Sequence, residues 1–145
     1  MTDIVISEFM DEAAVDDLRR DFTVTYDKGL VDRPDELRAL AAGARALIVR
    51  NRTQVRGALL EAGVRLEAIG RLGVGLDNID TEACKARGIA VLPATGANDI
   101  AVAEWAVTTI MVLLRGAYFA TADVAAGTWP RERLMGREVH GKVLG

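Results

Sequence analysis

One cysteine, one histidine and three prolines are all that this chain of 145 residues has of those types, and aromatic residues make up only 5%. A lone Cys84 closes no internal disulfide, which excludes a disulfide-framed secreted scaffold and suits a reducing compartment. Neither Cys84, His140 nor the acidic residues fall at metal-ligand spacing, so no metal site is expected. Charge of one sign is also scarce: the formal net charge is −3, too little to give the basic field that nucleic acid requires. Long hydrophobic runs are missing as well. The longest, Ile110 to Leu114 and its neighbours, is interrupted by Glu104, Thr108, Thr109 and Arg115 and falls short of the ~20 apolar residues that span a bilayer. The opening "MTDIVISEFMDE" has no basic region followed by an apolar stretch and a cleavage site, so no export signal is read there. The expectation is a cytoplasmic protein with no nucleic-acid or membrane partner.

What is present is a globular composition, 50% hydrophobic and 27% charged, arranged as alternating β-rich and helical segments. "DIVIS" (3–7) reads as a buried strand and 10–20 as a helix, with Ala13, Ala14, Val15 and Leu18 on one face. Strand 22–27 follows. Pro34 opens a helix that runs to about Ala42, ahead of Gly43. Strand 46–50 leads to a helix that Thr53 can cap and Gly63 closes. Strand 67–72, a helix capped by Asp80 and ended at Gly88, and strand 89–93 complete the series. Strand, helix, strand with short connections implies an α/β fold, an open parallel sheet with helices on both faces. Beyond Asn98 the pattern changes to one long, almost uniformly apolar helix, bent near Gly116 and expected to be buried against more than one surface. After it come a Pro/Arg-rich stretch and "KVLG", where a further strand is expected to begin.

Open α/β sheets bind ligands beyond the carboxyl ends of their strands. That edge receives Arg50, Asn51, Arg52 and Thr53 from the third strand, Arg71 and Gly73–Val74–Gly75 from the fourth, and residues 93–98 from the fifth. Glycines permit close approach of backbone N–H groups, and arginine adds forked donors, so the edge fits a small, multiply charged anion. The plainer alternative is a set of solvated arginines beside a tight turn. A dinucleotide loop is excluded because G-x-G-x-x-G/A has Asn78 in its sixth position here. A flavodoxin is excluded because its phosphate loop would be "SEFMDE", and a phosphorylated receiver because Arg50 stands where an Asp is needed. Cys84 reads as a core residue, His140 as a surface one, and Met111 with Leu113, Leu114 and Trp105 as core or interface.

Taken together, "VRNRT", "GRLGVGLDNID", "GIAVLPATGANDIAVAEWAVTTIMVLLR" and "GKVLG" resemble the D-isomer-specific 2-hydroxyacid dehydrogenase family, nearest its phosphoglycerate dehydrogenase-like branch. The resemblance implies a flavodoxin-like substrate-binding domain over 1–97. Over 98–145 it implies a linking helix that makes a homodimer around 101–114, and then the start of a truncated NAD-binding Rossmann domain. It implies that Arg50, Asn51, Arg71, Gly73, Val74, Gly75 and Asn98 bind substrate. Val74 and Val102 match positions on the nicotinamide side of NAD. No catalytic residue of the family has a matching position in this chain, and the main cofactor loop is likewise unmatched. The expected function is that of the N-terminal part of an NAD-dependent oxidoreductase interconverting a small anionic 2-hydroxy acid and its 2-oxo acid, inactive by itself. Asn51 stands where serine is common and Val74 where threonine or serine is common. Sulfolactate therefore fits the second anionic group as well as a phosphoglycerate does. The alternative is a stand-alone anion-binding or regulatory dimerisation module without catalysis.

Overall fold

A computed structural model describes residues 2–145. The chain forms two compact units, Met1–Ala97 and Asn98–Gly145.

The first unit is built on five strands, β1 (Ile4–Ile6), β2 (Val24–Tyr26), β3 (Ala46–Val49), β4 (Ala68–Arg71) and β5 (Ala90–Pro93). They form one sheet in the order β2-β1-β3-β4-β5, and every pairing is parallel. Between them run α1 (Glu12–Arg19), α2 (Pro34–Ala41), α3 (Gly57–Ala62) and α4 (Thr81–Ala86). The expected α/β sheet with helices on both faces is what the chain forms. The register puts Val5, Leu47, Ile69 and Val91 in one row across the sheet. That face carries the main core, closed by Leu37 and Ala41 of α2, Leu59 and Leu60 of α3, and Cys84 of α4. On the other face Ile4 and Ile6 meet Val15 and Leu18 of α1. Each fully buried Val, Leu or Ile contributes roughly 1.5–3 kcal/mol.

Local chemistry sets most helix ends. Asp11 accepts from the Ala13 and Ala14 N–H groups at the start of α1, Pro34 occupies the first turn of α2, and Asp80 accepts from Ala83 N at the start of α4. The third helix departs from expectation. Thr53 does not cap it; α3 begins only at Gly57, after Arg56, with no side-chain cap. The Thr53 hydroxyl is instead bonded to Ser7 Oγ at 2.9 Å, and Val55 pairs with Ile79 in an isolated parallel bridge that holds the segment extended. A cap is a local preference, and here two tertiary partners outcompete it.

The second unit contains α5 (Asp99–Arg115), a short 3-10 turn (Ala117–Ala120) and α6 (Thr121–Ala125). The bend expected near Gly116 is present: Gly116 takes a left-handed φ of 67°, and the helical axis turns by 56° there. No residue of α5 is buried, and Trp105 is 70% exposed. Lys142–Gly145 form no strand, since a strand exists only through hydrogen bonds to a neighbour and none of the described residues supplies one. No single helix is long and apolar enough to cross a membrane; only the bent pair Asp99–Arg115 and Ala117–Ala125 together reach that length and composition.

Candidate functional site

All five strands being parallel, their carboxyl ends share one edge, and the loops leaving them are tied together there. Leu72 N donates to Val49 O at 2.8 Å, and Ala94 N donates to both Arg71 O and Gly73 O at 3.1 Å. Val49 is in register with Arg71, and Arg71 with Pro93. Arg50 and the Arg71–Gly75 turn therefore leave neighbouring strands, whose spacing is ~4.8 Å.

The turn after β3 is held by a residue of the loop after β1. The Glu8 carboxylate, only 4% exposed, accepts from four backbone N–H groups: Arg50 (2.9 Å), Asn51 (3.2 Å), Arg52 (3.0 Å) and Thr53 (2.9 Å). Burial pushes this carboxyl up, but the hydrogen bonds from Thr53, Arg50 and Arg52 outweigh that and bring it down to about 2. The opposite side of the turn is held by buried Asn78, whose Nδ2 donates to Thr53 O at 2.8 Å and Arg50 O at 3.4 Å. Sequence reasoning missed both residues. It counted Glu8 among carboxylates hostile to phosphate and Asn78 only as a flaw in the dinucleotide pattern. The available signal was an acidic residue directly after β1, facing an edge rich in donors.

The turn after β4 is shaped around Gly73. Its φ of +153° belongs to a region that side-chain-bearing residues rarely adopt, and a Cβ there would collide with Nη1 of Arg71. The Arg71 guanidinium thus lies over the glycine, and its Nε is buried without a partner. Gly73 N is used internally, donating to Arg71 O at 2.8 Å. The Val74 and Gly75 N–H groups meet no acceptor among the described residues, so the available donors are these two rather than all of 73–75. Arg50 and Asn51 are exposed, and their side chains are likewise unpartnered among the described residues. Arg52 is set apart, because it pairs with Asp32. Asn98 and Val102 belong to the second unit: Asn98 precedes α5 with a free side chain, and Val102, half-exposed, donates its N–H to Asn98 O at 2.9 Å.

The geometry suits a small acid and not a dinucleotide. The helix that follows Gly73–Val74–Gly75 starts at Thr81, and the Asp80 carboxylate already caps it, so a pyrophosphate at that terminus would meet a negative charge. The residues present do not fit the NAD pyrophosphate. Cys84 is fully buried and its thiol is pushed up by that burial, which removes it as a nucleophile. Among the described residues no group of His, Cys, Asp and Glu is placed to hold a metal.

The model of the family "D-isomer specific 2-hydroxyacid dehydrogenase, catalytic domain" matches residues 4–128. The chain belongs to that family. An (S)-sulfolactate dehydrogenase of Chromohalobacter salexigens is 59% identical over 145 residues, which is 100% of this chain and 47% of that protein. A 2-hydroxyacid dehydrogenase structure from Ketogulonicigenium vulgare superposes with a TM-score of 0.75 at 30% identity, covering 98% of this chain and 46% of the other. An NAD+-bound 3-phosphoglycerate dehydrogenase of Entamoeba histolytica gives a TM-score of 0.61 at 26% identity, covering 81% and 40% respectively. The chain spans about half the length, or less, of the relatives it matches.

Proposed function

We propose that this family member supplies the substrate-binding part of an NAD-dependent oxidoreductase that interconverts a small anionic 2-hydroxy acid and its 2-oxo acid. The observation that carries this reading is the set of unpartnered donors on one edge: Arg50, Asn51, Arg71 with its orphaned Nε, and the Val74 and Gly75 N–H groups. A buried donor without a partner costs about 1–3 kcal/mol, which a bound carboxylate or sulfonate returns. The substrate we favour is sulfolactate, which carries one carboxylate and one sulfonate. The 59% identity to an (S)-sulfolactate dehydrogenase supports it over a phosphoglycerate. In this reading the Val74 and Gly75 N–H groups take the carboxylate, and Arg50 and Arg71 face the sulfonate. Asn98 and Val102, which lie in the second unit, are assigned to substrate and to the nicotinamide by family resemblance alone. None of these residues is assigned the proton or hydride step, Val74 is assigned to the nicotinamide side as well, and the pyrophosphate of NAD is held by residues other than the 71–75 turn. The exposed apolar face of α5 supports a homodimer through residues 101–114, and a free buried cysteine suits the cytoplasm.

Titrating the 15N-labelled chain with 3-sulfolactate and following amide shifts tests the site. The expected result is saturable movement of Val74 and Gly75, with Arg50→Gln and Arg71→Gln each weakening binding about tenfold or more, as for a lost charge-assisted hydrogen bond. Shifts spread evenly over the surface, or variants that bind as wild type does, would refute the reading.

A further inference from the structure

The four consecutive N–H groups of residues 50–53 form the kind of concave donor array that captures an external anion. Here the chain's own Glu8 fills it. The carbonyls of the same turn, at Arg50 and Thr53, are taken by Asn78, which leaves the turn gripped from both sides by two buried side chains. Ser7 Oγ bonded to Thr53 Oγ1 adds a third, neighbouring tie. Within this turn the side chains of Arg50 and Asn51 have no partner among the described residues, and they project from a backbone that cannot easily turn.

We propose that Glu8 and Asn78 act as a two-sided clamp that positions Arg50 and Asn51 for the substrate anion, which makes them positioning residues of the binding site. This inference rests on the anion-binding function argued above. Its physical content is preorganisation. An arginine on a mobile turn must lose backbone and rotamer freedom when it binds, whereas one on a clamped turn has already lost the backbone part. The clamp also draws on both neighbouring segments, because Glu8 follows β1 and Asn78 follows the Gly73–Gly75 turn. Asn78 therefore links the two halves of the anion site, its own turn supplying main-chain donors and its side chain holding the arginine turn.

The sign of one effect separates this role from a plain electrostatic one. Glu8 places a negative charge beneath the arginine turn, so removing it would by charge alone strengthen anion binding. The clamp requires the opposite. In the full chain titrated with 3-sulfolactate, Glu8→Gln is expected to weaken binding about tenfold, the scale of a lost hydrogen bond to a charged group. Amide hydrogen exchange at residues 50–53 should quicken while that at Leu47 and Ile69 stays unchanged. Asn78→Ala, which leaves the Glu8 bonds in place, should weaken binding in the same direction and serves if Glu8→Gln fails to fold. In an Arg50→Gln background the Glu8→Gln effect should largely disappear, because both changes act through one side chain. Tighter or unchanged binding in Glu8→Gln and Asn78→Ala, with wild type still binding, would overturn the clamp and leave the site intact. Full additivity with Arg50→Gln would overturn it too. A wild-type chain that binds neither 3-sulfolactate nor 3-phosphoglycerate would overturn the site and the clamp together.

Discussion

Glu8 shows how one side chain can change the meaning of a loop. Its carboxylate is held at about 2, against an ordinary value of 4.5. A depressed folded value means that the stabilisation is complete above about pH 4.5 and is lost as pH falls from there through about 2. At about 1.4 kcal/mol per unit, the contribution is on the order of 3 kcal/mol. Urea unfolding followed by circular dichroism should therefore find Glu8→Gln less stable by up to about 3 kcal/mol at pH 7. The gap to wild type should close between about pH 4.5 and 2, and a gap independent of pH would contradict this origin. Gly73 is the second position where one residue type is required. Gly73→Ala combines a strained φ with a clash against the Arg71 guanidinium. It should lower stability by about 1–3 kcal/mol and weaken 3-sulfolactate binding, because Arg71 must move.

Two helices of the first unit have starts set by a local side-chain cap, and α3 does not. Asp11 and Asp80 cap α1 and α4 through their own side chains. Asp11→Ala should lower the unfolding free energy by about 0.5–2 kcal/mol. An unchanged denaturation midpoint would show that this cap contributes nothing. By the same logic Thr53→Ala should behave unlike a lost helix cap. It removes the hydroxyl bond to buried Ser7 while leaving α3 with the uncapped start it already has. Hydrogen exchange in that variant should quicken around residues 50–55 and not along α3. The reverse pattern would restore Thr53 to the role its position in the sequence suggests.

For the whole molecule the dominant feature is apolar surface left open in the second unit. Trp105, Val107, Met111 and Leu113 of α5 are all exposed. Exposed apolar groups of this kind, spread along one 17-residue helix, favour association. Light scattering should find the chain self-associating, and Leu113→Glu should shift it toward the monomer without loss of 3-sulfolactate binding by the first unit. A monomeric wild type would refute the homodimer. The purified chain mixed with NAD and 2-hydroxy acids should form no NADH, because none of the residues assigned to this site can carry the proton or hydride step.

The order of strands and helices, the loops gathered at one sheet edge, and the presence there of Arg50, Arg71 and Gly73 were all determined by the sequence itself. Each follows from short-range rules: apolar periodicity, Pro34 in a first turn, Asp80 as a cap, and the right-handed parallel crossover that brings every strand's carboxyl end to the same side. Tertiary structure alone decided which donors are free. Glu8 lies 42 residues from Arg50, and Asn78 lies 25 from Thr53. No local pattern announces such partners, because a hydrogen bond across the sheet edge depends on where two loops end in space. For that reason the N–H groups of the arginine turn, which the sequence offered only for its side-chain donors, are filled by the protein's own carboxylate. The main-chain donors left for a ligand narrow to Val74 and Gly75.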